Sequence, residues 1–281
     1  MSLVQLSPML RDARDRHFAV GAFNYANTET ALVIAQEAAA RNYPAMLIIS
    51  PWELEVMRPE GFVRAAEYAS DTCGIPICLH LDHAQKFEDI KRAIEAGFPS
   101  VMIDASTLPF EENIALTCQV VEYSHARGVT VEGELGAVGR VGVETPEGSD
   151  ESSLTDPDQA VEFIERTRVD ALAVGIGNAH GMYKQRPELD FDLLATIRKN
   201  TDVPLVLHGG SGTPVDQLHK AIEHGIAKVN VASELCRAWL WAIHGAVERT
   251  DGTIWWATAE IEAREAVREV VMRWMKTLHC Q

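Results

Sequence analysis

Three histidines stand at the ends of apolar segments in this sequence, where a strand would give way to a loop. His83 ends LHLDH, His180 ends GNAH, and His208 precedes GGSG. Three imidazoles from separate segments, with a fourth position left open, form the kind of site that a catalytic zinc ion occupies. We therefore predict that His83, His180 and His208 bind one catalytic Zn²⁺ ion.

Carboxylates accompany these histidines. Asp82 directly precedes His83, where it can face a substrate on the open side of the metal, and we predict that it transfers protons. Asp104 and Glu134 end two further apolar segments, and they either bind a metal ion in an alternative position or orient the histidines. His80, inside the same segment as His83, is predicted to hold a neighbouring side chain instead of the metal.

Glycines and small polar residues follow several of the same segments. Bare backbone amides bind phosphate without net positive charge, and the loops after the last strands of a barrel are a frequent phosphate site. We predict that these residues bind a phosphorylated substrate, together with an asparagine at the end of the first segment. The predicted contacts are Asn24, Gly181, Gly209, Gly210, Ser211, Asn230, Val231, Ala232 and Ser233.

Eight short apolar, β-branched segments carry these residues, and amphipathic helical stretches separate them. This alternation predicts parallel strands with crossover helices, and their continuous apolarity indicates strands covered on both faces. A chain of 281 residues fits one such α/β barrel. We predict a (β/α)8 TIM barrel with extra C-terminal helices, as a single domain over residues 1–281. The predicted strands are 19–24, 45–50, 77–83, 100–106, 130–136, 171–180, 204–212 and 228–233.

Helix starts and one long loop complete this outline. Asp156-Pro157 and Thr213-Pro214 each predict an N-cap followed by proline at the first helical position. Residues 137–155, rich in glycine, serine and acid, predict a long mobile loop after the fifth strand. Residues 267–278 repeat apolar side chains at spacings of three and four, which predicts a helix packed on the barrel or on a second subunit.

Charge and composition limit the partners. The formal charge of −16 opposes binding to nucleic acid or to an anionic membrane, and no segment stays apolar for the roughly 18 residues of a membrane span. The five cysteines are scattered and never spaced as CxxC, so neither a disulfide framework nor a cysteine metal site is indicated. Since the first residues show no apolar signal segment, we expect a cytoplasmic protein.

The segments that carry the candidate residues read GAFN (21–24), LHLDHAQKFEDI (79–90), GFPSVMIDAS (97–106), VEGELG (131–136), GNAHGMYK (177–184), PLVLHGGSG (204–212) and KVNVASEL (228–235). In these motifs the chain resembles the class II fructose-1,6-bisphosphate and tagatose-1,6-bisphosphate aldolases. The resemblance implies a lyase of carbohydrate metabolism that reversibly cleaves a ketose bisphosphate. Fructose-1,6-bisphosphate, as in glycolysis, is the first choice, giving dihydroxyacetone phosphate and glyceraldehyde 3-phosphate. Tagatose-1,6-bisphosphate or another phosphorylated ketose is the alternative.

Carried over residue by residue, the resemblance implies that the three histidines bind zinc and that Asp82 acts on the aldehyde oxygen. Gly181 and residues 209–211 and 230–233 would hold the dihydroxyacetone phosphate half. Lys184 would lie near a monovalent-cation site, so a second divalent or a monovalent ion is expected besides the zinc. The resemblance further implies a homodimer or homotetramer.

The loop is where the sequence departs from the family pattern. That pattern has a glycine pair followed by acidic residues, one of which exchanges a proton on the triose carbon, whereas residues 139–144 read GRVGVE. Glu144 is the nearest candidate for this second base, and Arg140 adds a cation that would suit a substrate with a different anionic group. Ser50 and Arg268 are the candidates for binding a second phosphate.

Two readings from other classes compete with the aldolase. A barrel metallohydrolase would use the metal to activate water, but Phe23-Asn24 stand where an HxH pair on the first strand would be expected. A sugar-phosphate binder without catalysis would retain the metal and lack the loop base. The presence of Asp82 beside a complete set of histidines favours an enzyme over such a binder.

Overall fold

The computed structural model describes residues 3–141 and 152–279. Its strands are β1 (Val20–Asn24), β2 (Ala45–Ile49), β3 (Ile77–Ala84), β4 (Ser100–Ile103), β5 (Thr130–Leu135), β6 (Gly139–Val141), β7 (Ala171–Val174), β8 (Ala179–Gly181), β9 (Leu205–Leu207) and β10 (Ile226–Val231). Its helices are α1 (Leu6–Asp15), α2 (Thr28–Arg41), α3 (Glu53–Val56), α4 (Pro59–Cys73), α5 (Phe87–Ala96), α6 (Phe110–His125), α7 (Pro157–Thr167), α8 (Phe191–Asn200), α9 (Val215–Glu223), α10 (Ser233–Arg249) and α11 (Trp256–Leu278).

Eight of these strands close into a parallel barrel in the order β1-β10-β9-β7-β5-β4-β3-β2. Inward side chains such as Ala22 and Ile48 form one apolar cluster with Leu6 of α1, whose backbone N–H bonds Thr130 at the start of β5. Outward side chains such as Phe23 pack against the surrounding helices in a second cluster. Both strand faces are buried, which explains the continuous apolarity, and the predicted (β/α)8 barrel with extra C-terminal helices is confirmed.

The segment 171–180, predicted as one strand, forms two. β7 ends at Val174 and β8 begins at Ala179. In the turn between them Gly177 has φ +96°, and Asn178 Oδ1 accepts a hydrogen bond of 2.9 Å from the Ile176 N–H. β8 therefore leaves the barrel and pairs with β6 in a separate two-stranded sheet. The predicted strand 204–212 is likewise too long, because β9 ends at Leu207.

The two predicted helix starts have different outcomes. Asp156 is the N-cap of α7 and accepts hydrogen bonds from the N–H groups of Asp158 and Gln159, so that prediction is confirmed. The second prediction is wrong by one residue, since Pro214 is the N-cap and α9 begins at Val215. No side chain caps α9, and the Thr213 hydroxyl instead donates to the Gly209 carbonyl.

The predicted loop 137–155 is only partly loop. Residues 139–141 form β6, whose pairing with β8 takes Arg140 opposite His180. The Ser153 N–H donates to the Ala137 carbonyl at 2.9 Å, so the two ends of the segment lie side by side. Residues 142–151 lie outside the described residues.

The predicted C-terminal helix is α11, which packs on α2, α9, α10 and β1. Its buried side chains face the barrel: Val267, Val271, Trp274, Met275 and Leu278. The Trp274 indole donates to Glu234 Oε2 at 3.1 Å, which ties the tail to the first turn of α10. No helix of residues 3–141 and 152–279 is long and apolar enough to cross a membrane.

We predict that Trp274→Ala lowers the free energy of unfolding by about 3–5 kcal/mol, because it removes a large buried side chain and leaves a cavity. Trp52→Ala is the matched control, since Trp52 precedes α3 with 63% of its surface exposed, against 2% for Trp274. Its effect should stay within about 0.5 kcal/mol. Urea denaturation followed by circular dichroism measures both. Equal effects of the two substitutions would show that α11 does not pack on the barrel as described.

Candidate active site

The three predicted metal-binding histidines lie together at the carboxyl ends of the barrel strands. His83 comes from β3, His180 from β8, and His208 directly follows β9. Their candidate ligand nitrogens lie within 4.8 Å of one another. The ring centroids are 4.6 Å apart for His83 and His180, 4.4 Å for His83 and His208, and 5.8 Å for His180 and His208. The structure thus brings together three buried imidazoles from three separate elements.

A local irregularity in β3 places neighbouring residues in one site. In a regular strand Asp82 and His83 would point to opposite faces. The register between β3 and β4 shifts between Leu81 and Ala84, and His83 has φ +47°, which is uncommon for a residue other than glycine. His83 Nε2 consequently lies 3.8 Å from Asp82 Oδ2. The irregularity lets the predicted proton-transfer group and a predicted metal ligand lie beside each other.

Two of the imidazoles have one nitrogen fixed by a carboxylate. His83 Nδ1 lies 3.0 Å from Asp104 Oδ2, and His208 Nε2 lies 2.8 Å from Glu132 Oε1. These contacts orient the rings and leave His83 Nε2 and His208 Nδ1 as the nitrogens that can bind a metal. His208 Nδ1 also lies 3.1 Å from Asn230 Nδ2, so the amide group borders the same space.

Asp82 is held between the histidines and the interior of the barrel. Its Oδ2 accepts a hydrogen bond of 2.7 Å from Asn230 Nδ2, and its Oδ1 lies 3.7 Å from both His80 Nε2 and Lys228 Nζ. Burial opposes ionisation of Asp82, but the His83 imidazole and the Lys228 ammonium outweigh it and lower the pKa of the carboxyl below its ordinary value. Asp82 is therefore an ionised carboxylate, ready to accept a proton.

A buried ion pair lies beneath the histidines. Lys228 Nζ donates to Glu132 Oε2 at 2.8 Å, and both side chains are fully buried. Burial disfavours ionisation of Glu132, but Lys228 and the hydrogen bond from His208 lower its pKa to about 2. Burial and the Lys228 charge lower the pKa of His80 to about 3, so this imidazole is neutral. His80 Nδ1 contacts Ser100 Oγ at 2.7 Å, in keeping with its predicted supporting role.

Glu132 and Lys228 were not predicted from the sequence as site residues, although the strand pattern indicates them. Each lies two positions before a predicted site residue, Glu134 on β5 and Asn230 on β10. Because strand side chains alternate between faces, residues two apart point the same way. A charged residue two positions before a site residue, in an otherwise apolar strand, therefore indicates a side chain that points into the barrel.

Asp104 and Glu134 adjoin His83 on the side away from Asp82. One candidate ligand atom from each of the three residues lies within 4.8 Å of the others. Asp104 Oδ1 accepts hydrogen bonds from the N–H and hydroxyl of Ser106, whereas Glu134 Oε2 is buried with no hydrogen bond to any described residue. Burial and the Asp104 charge raise the pKa of Glu134 well above its ordinary value. The arrangement permits both predicted roles, ring orientation and alternative metal binding.

Seven of the nine predicted substrate contacts line a narrow cleft of about 20 Å³ beside the histidines. Two glycines are required there by close packing. Gly181 has φ +97°, and a Cβ at Gly209 would lie 2.0 Å from the Ala179 carbonyl oxygen. Ser233 begins α10, a helix of 17 residues, so its first N–H groups face an anion-binding position. The lining residues are Ile48, Asp82, His180, Gly181, Gly209, Gly210, Ser211, Asn230, Ala232 and Ser233.

Four other predicted contacts lie elsewhere or are already engaged. Asn24 ends β1 and donates to Glu53 Oε1 at 3.2 Å. The Val231 side chain belongs to the cluster outside the barrel, so only its backbone can face the cleft. The Ser50 hydroxyl donates to Glu53 Oε2 at 2.6 Å. Arg268 pairs with Glu37 of α2 at 2.8 Å, on the helical layer.

The loop residues that depart from the family pattern are only partly described. Arg140 is on β6, in register with His180. Glu144, the candidate for the second proton-transfer group, lies outside the described residues.

The donor set fits a divalent cation. His83 Nε2 is buried and forms no hydrogen bond with any described residue, as expected of a nitrogen that binds a metal ion. Burial lowers the pKa of His180 and His208, which keeps both rings in the neutral form that binds metals. Three imidazoles with space on their open side match a catalytic metal site more closely than a closed structural one.

Known proteins resemble this chain over nearly its whole length. The family described as fructose-bisphosphate aldolase class-II matches residues 4–281. The YdjI aldolase from Escherichia coli K12 is 34% identical, with 98% of this chain and 97% of that chain covered and a TM-score of 0.85. A candidate fructose-1,6-biphosphate aldolase from Coccidioides immitis is 34% identical, with 96% and 94% covered and a TM-score of 0.87. Fructose-bisphosphate aldolase from Campylobacter jejuni, 21% identical, shares the fold with a TM-score of 0.80 over 99% of this chain and 96% of that chain.

We predict that Lys228→Met destabilises the protein by about 3–5 kcal/mol, because it leaves the Glu132 charge buried and uncompensated. The double variant Lys228→Met/Glu132→Gln should regain at least about half of this loss, since glutamine still accepts the His208 hydrogen bond without a charge. Lys91→Met, at a surface pair with Glu88, should cost about 1 kcal/mol or less. Urea denaturation with a chelator present measures all three. A double variant no more stable than Lys228→Met would contradict the pairing.

Proposed function

The chain belongs to the class-II fructose-bisphosphate aldolase family and is a carbon–carbon lyase, and on that basis we propose that it uses Zn²⁺ to cleave a ketose with a phosphate on its triose half, such as a ketose 1,6-bisphosphate, reversibly into dihydroxyacetone phosphate and an aldehyde. One observation carries the proposal. An ionised carboxylate, Asp82, adjoins three imidazoles on one side and a glycine-lined cleft on the other. A base, a metal position and a phosphate pocket within one cleft are the parts that a retro-aldol cleavage needs.

The proton transfer belongs to Asp82. In cleavage its carboxylate takes the proton from the C4 hydroxyl as the C3–C4 bond breaks, and the electron pair of that bond passes to the triose half. In condensation the carboxylic acid returns the proton to the aldehyde oxygen. The Asn230 amide, bound to Asp82 Oδ2, fixes the direction of the acceptor oxygen.

His83, His180 and His208 would hold the metal ion. A divalent ion bound there would supply Lewis-acid chemistry for the negative charge that develops on the triose half. Asp104 and Glu132 keep two of the rings in their binding orientation. Zinc is proposed because three histidines with an open position are a common catalytic zinc set.

The substrate is proposed as a ketose with phosphate on its triose half. The support is the position of Gly181, Gly209, Gly210 and Ser211 around the cleft, with the start of α10 beside them. Fructose-1,6-bisphosphate and tagatose-1,6-bisphosphate belong to this class and differ only in configuration at C4. We also propose a cytoplasmic location, because Cys73, Cys78, Cys118 and Cys236 are all free thiols.

We expect triose phosphate release from fructose-1,6-bisphosphate or tagatose-1,6-bisphosphate to fall by at least roughly 10³-fold on removal of the metal with a chelator and to return with Zn²⁺. Asp82→Asn should lower kcat by roughly 10²–10⁴-fold and leave zinc content unchanged, because it removes the base but no ligand. His208→Ala should lower both. A coupled assay for dihydroxyacetone phosphate and metal analysis of the purified variants measure these effects.

The ratio of the two sugar rates gives the C4 preference. Chelator-resistant cleavage would contradict the metal requirement. Full activity of Asp82→Asn would contradict the assigned base. Absence of cleavage of both sugars, in protein with one zinc per chain, would contradict a bisphosphate substrate and direct the assay to ketoses with a single phosphate.

We also propose that the chain assembles as a homodimer or homotetramer. The support is the helical pair α10–α11, which exposes the indoles of Trp241, Trp255 and Trp256 by 60%, 71% and 74%. Exposed aromatic surface of this extent is characteristic of protein–protein contacts. Light scattering after size-exclusion chromatography should give two or four chain masses, and Trp255→Ser/Trp256→Ser should shift the mass toward one chain. A wild-type protein of one chain mass at micromolar concentration would refute the assembly.

A further inference from the structure

Glu53, the first residue of the short helix α3, binds the polar groups at the ends of β1 and β2. Its Oε2 accepts hydrogen bonds from the Ser50 N–H at 2.7 Å and the Ser50 hydroxyl at 2.6 Å. Its Oε1 accepts one of 3.2 Å from Asn24 Nδ2. Within residues 3–141 and 152–279 no ion pair joins Glu53 to a lysine or arginine. A carboxylate without a paired cation therefore lies at this part of the rim.

The strand register places this carboxylate beside the cleft. Ala22 and Ile48 point into the barrel, and Asn24 and Ser50 follow them two positions later, so they point the same way. Ile48 itself lines the cleft with Asp82. β2 pairs with β3 up to Ile49 opposite Leu81, so Ser50 follows at the level of Asp82. Asp82 is the proposed acceptor of the C4 hydroxyl proton. It therefore lies on the strand next to β2, whose end carries Ser50 and its partner Glu53.

Helix capping does not explain this arrangement. Ser50 and Glu53 have the S-x-x-E spacing of a capping box, but Trp52 is the N-cap of α3 and no side chain caps this helix. The bond to Asn24 joins Glu53 to a different strand. A glutamine at position 53 would still accept the Ser50 N–H bond. The local backbone therefore does not account for a negative charge that faces two residues of the rim.

The cleft and the rim beside it have opposite preferences for phosphate. The cleft offers backbone amides of glycines and the start of α10, which attract an anion. On the rim at the ends of β1 and β2, next to the cleft residue Ile48, the donors of Ser50 and Asn24 are already engaged by the Glu53 carboxylate, and a phosphate brought there would meet a like charge. Hydroxyl groups, in contrast, can donate hydrogen bonds to the remaining lone pairs of Glu53.

We propose that Glu53 is a specificity-determining residue that excludes a second phosphate, so that the substrate is a ketose 1-phosphate whose aldehyde product is an uncharged hydroxyaldehyde. This inference rests on the proposed aldolase function and narrows its substrate class. Glu53 acts through repulsion of the wrong aldehyde as well as attraction of the right one. Ser50 then serves to position Glu53 and does not bind a distal phosphate.

The test uses the condensation reaction of the zinc-loaded enzyme with dihydroxyacetone phosphate. Racemic glyceraldehyde and racemic glyceraldehyde 3-phosphate are compared as partners, so that every configuration at C4 and C5 is accessible. Wild type should show a kcat/KM at least roughly tenfold higher for glyceraldehyde, and Glu53→Gln should reduce this ratio at least roughly fivefold, mainly through KM for the phosphorylated aldehyde. The wild-type ratio should also fall as ionic strength rises from about 0.02 to about 0.5 M, because salt screens the repulsion.

Glu55→Gln is the matched control, since it removes the same charge from the same helix at a side chain directed toward Arg92. Its ratio should stay within about twofold of wild type, and the thermal midpoints of both variants should stay close to that of wild type because a glutamine oxygen at position 53 still accepts the Ser50 N–H bond. Preference of wild type for glyceraldehyde 3-phosphate, or an active Glu53→Gln enzyme with an unchanged ratio, would overturn the proposed role of Glu53 and leave the aldolase function standing. Absence of condensation with either aldehyde overturns the aldolase function and this inference with it.

Discussion

The ion pair of Lys228 and Glu132 in the barrel interior supports the rest of the site. A carboxylate that leaves water for an apolar interior is costly unless a cation and hydrogen bonds accompany it. Lys228 supplies the cation at 2.8 Å, and His208 supplies the second hydrogen bond. The same ammonium group lies 3.7 Å from Asp82. One buried lysine thereby favours the ionised form of two carboxylates, of which one orients a predicted metal-binding histidine and the other is the proposed base.

The strained turn of β3 is the second constraint. A regular strand offers every other side chain to the interior, so adjacent residues cannot both serve one site. His83 departs from this rule with a positive φ and a shift of register against β4. Strain of this kind persists only where surrounding contacts hold it, and the bond between His83 and Asp104 is one such contact. The departure places the carboxylate of Asp82 beside the imidazole of His83 in one site.

The charge differs between the two sides of the rim. This difference would distinguish the phosphate-bearing half of a substrate from its other half. Glycines near β8 and β9 permit backbone amides to approach an anion closely, because any Cβ at Gly209 would collide with the Ala179 carbonyl. Near β1 and β2 the carboxylate of Glu53 takes the available donors. An overall charge of −16 is compatible with a phosphate ligand only because these local amides outweigh the long-range repulsion.

The barrel, the three histidines and the general position of the cleft could be predicted from the sequence, because period and apolarity fix strands and the active site of a barrel lies at their carboxyl ends. Position along the chain also marked Asp82 as the neighbour of a ligand. The sequence did not indicate that His180 leaves the barrel on β8, that Glu132 and Lys228 pair beneath the site, or that Glu53 engages Ser50 and Asn24. Each of these depends on distances between residues far apart in the chain, or on one unusual backbone angle. Tertiary packing decides such features, since no local pattern encodes which inward-facing side chains will meet.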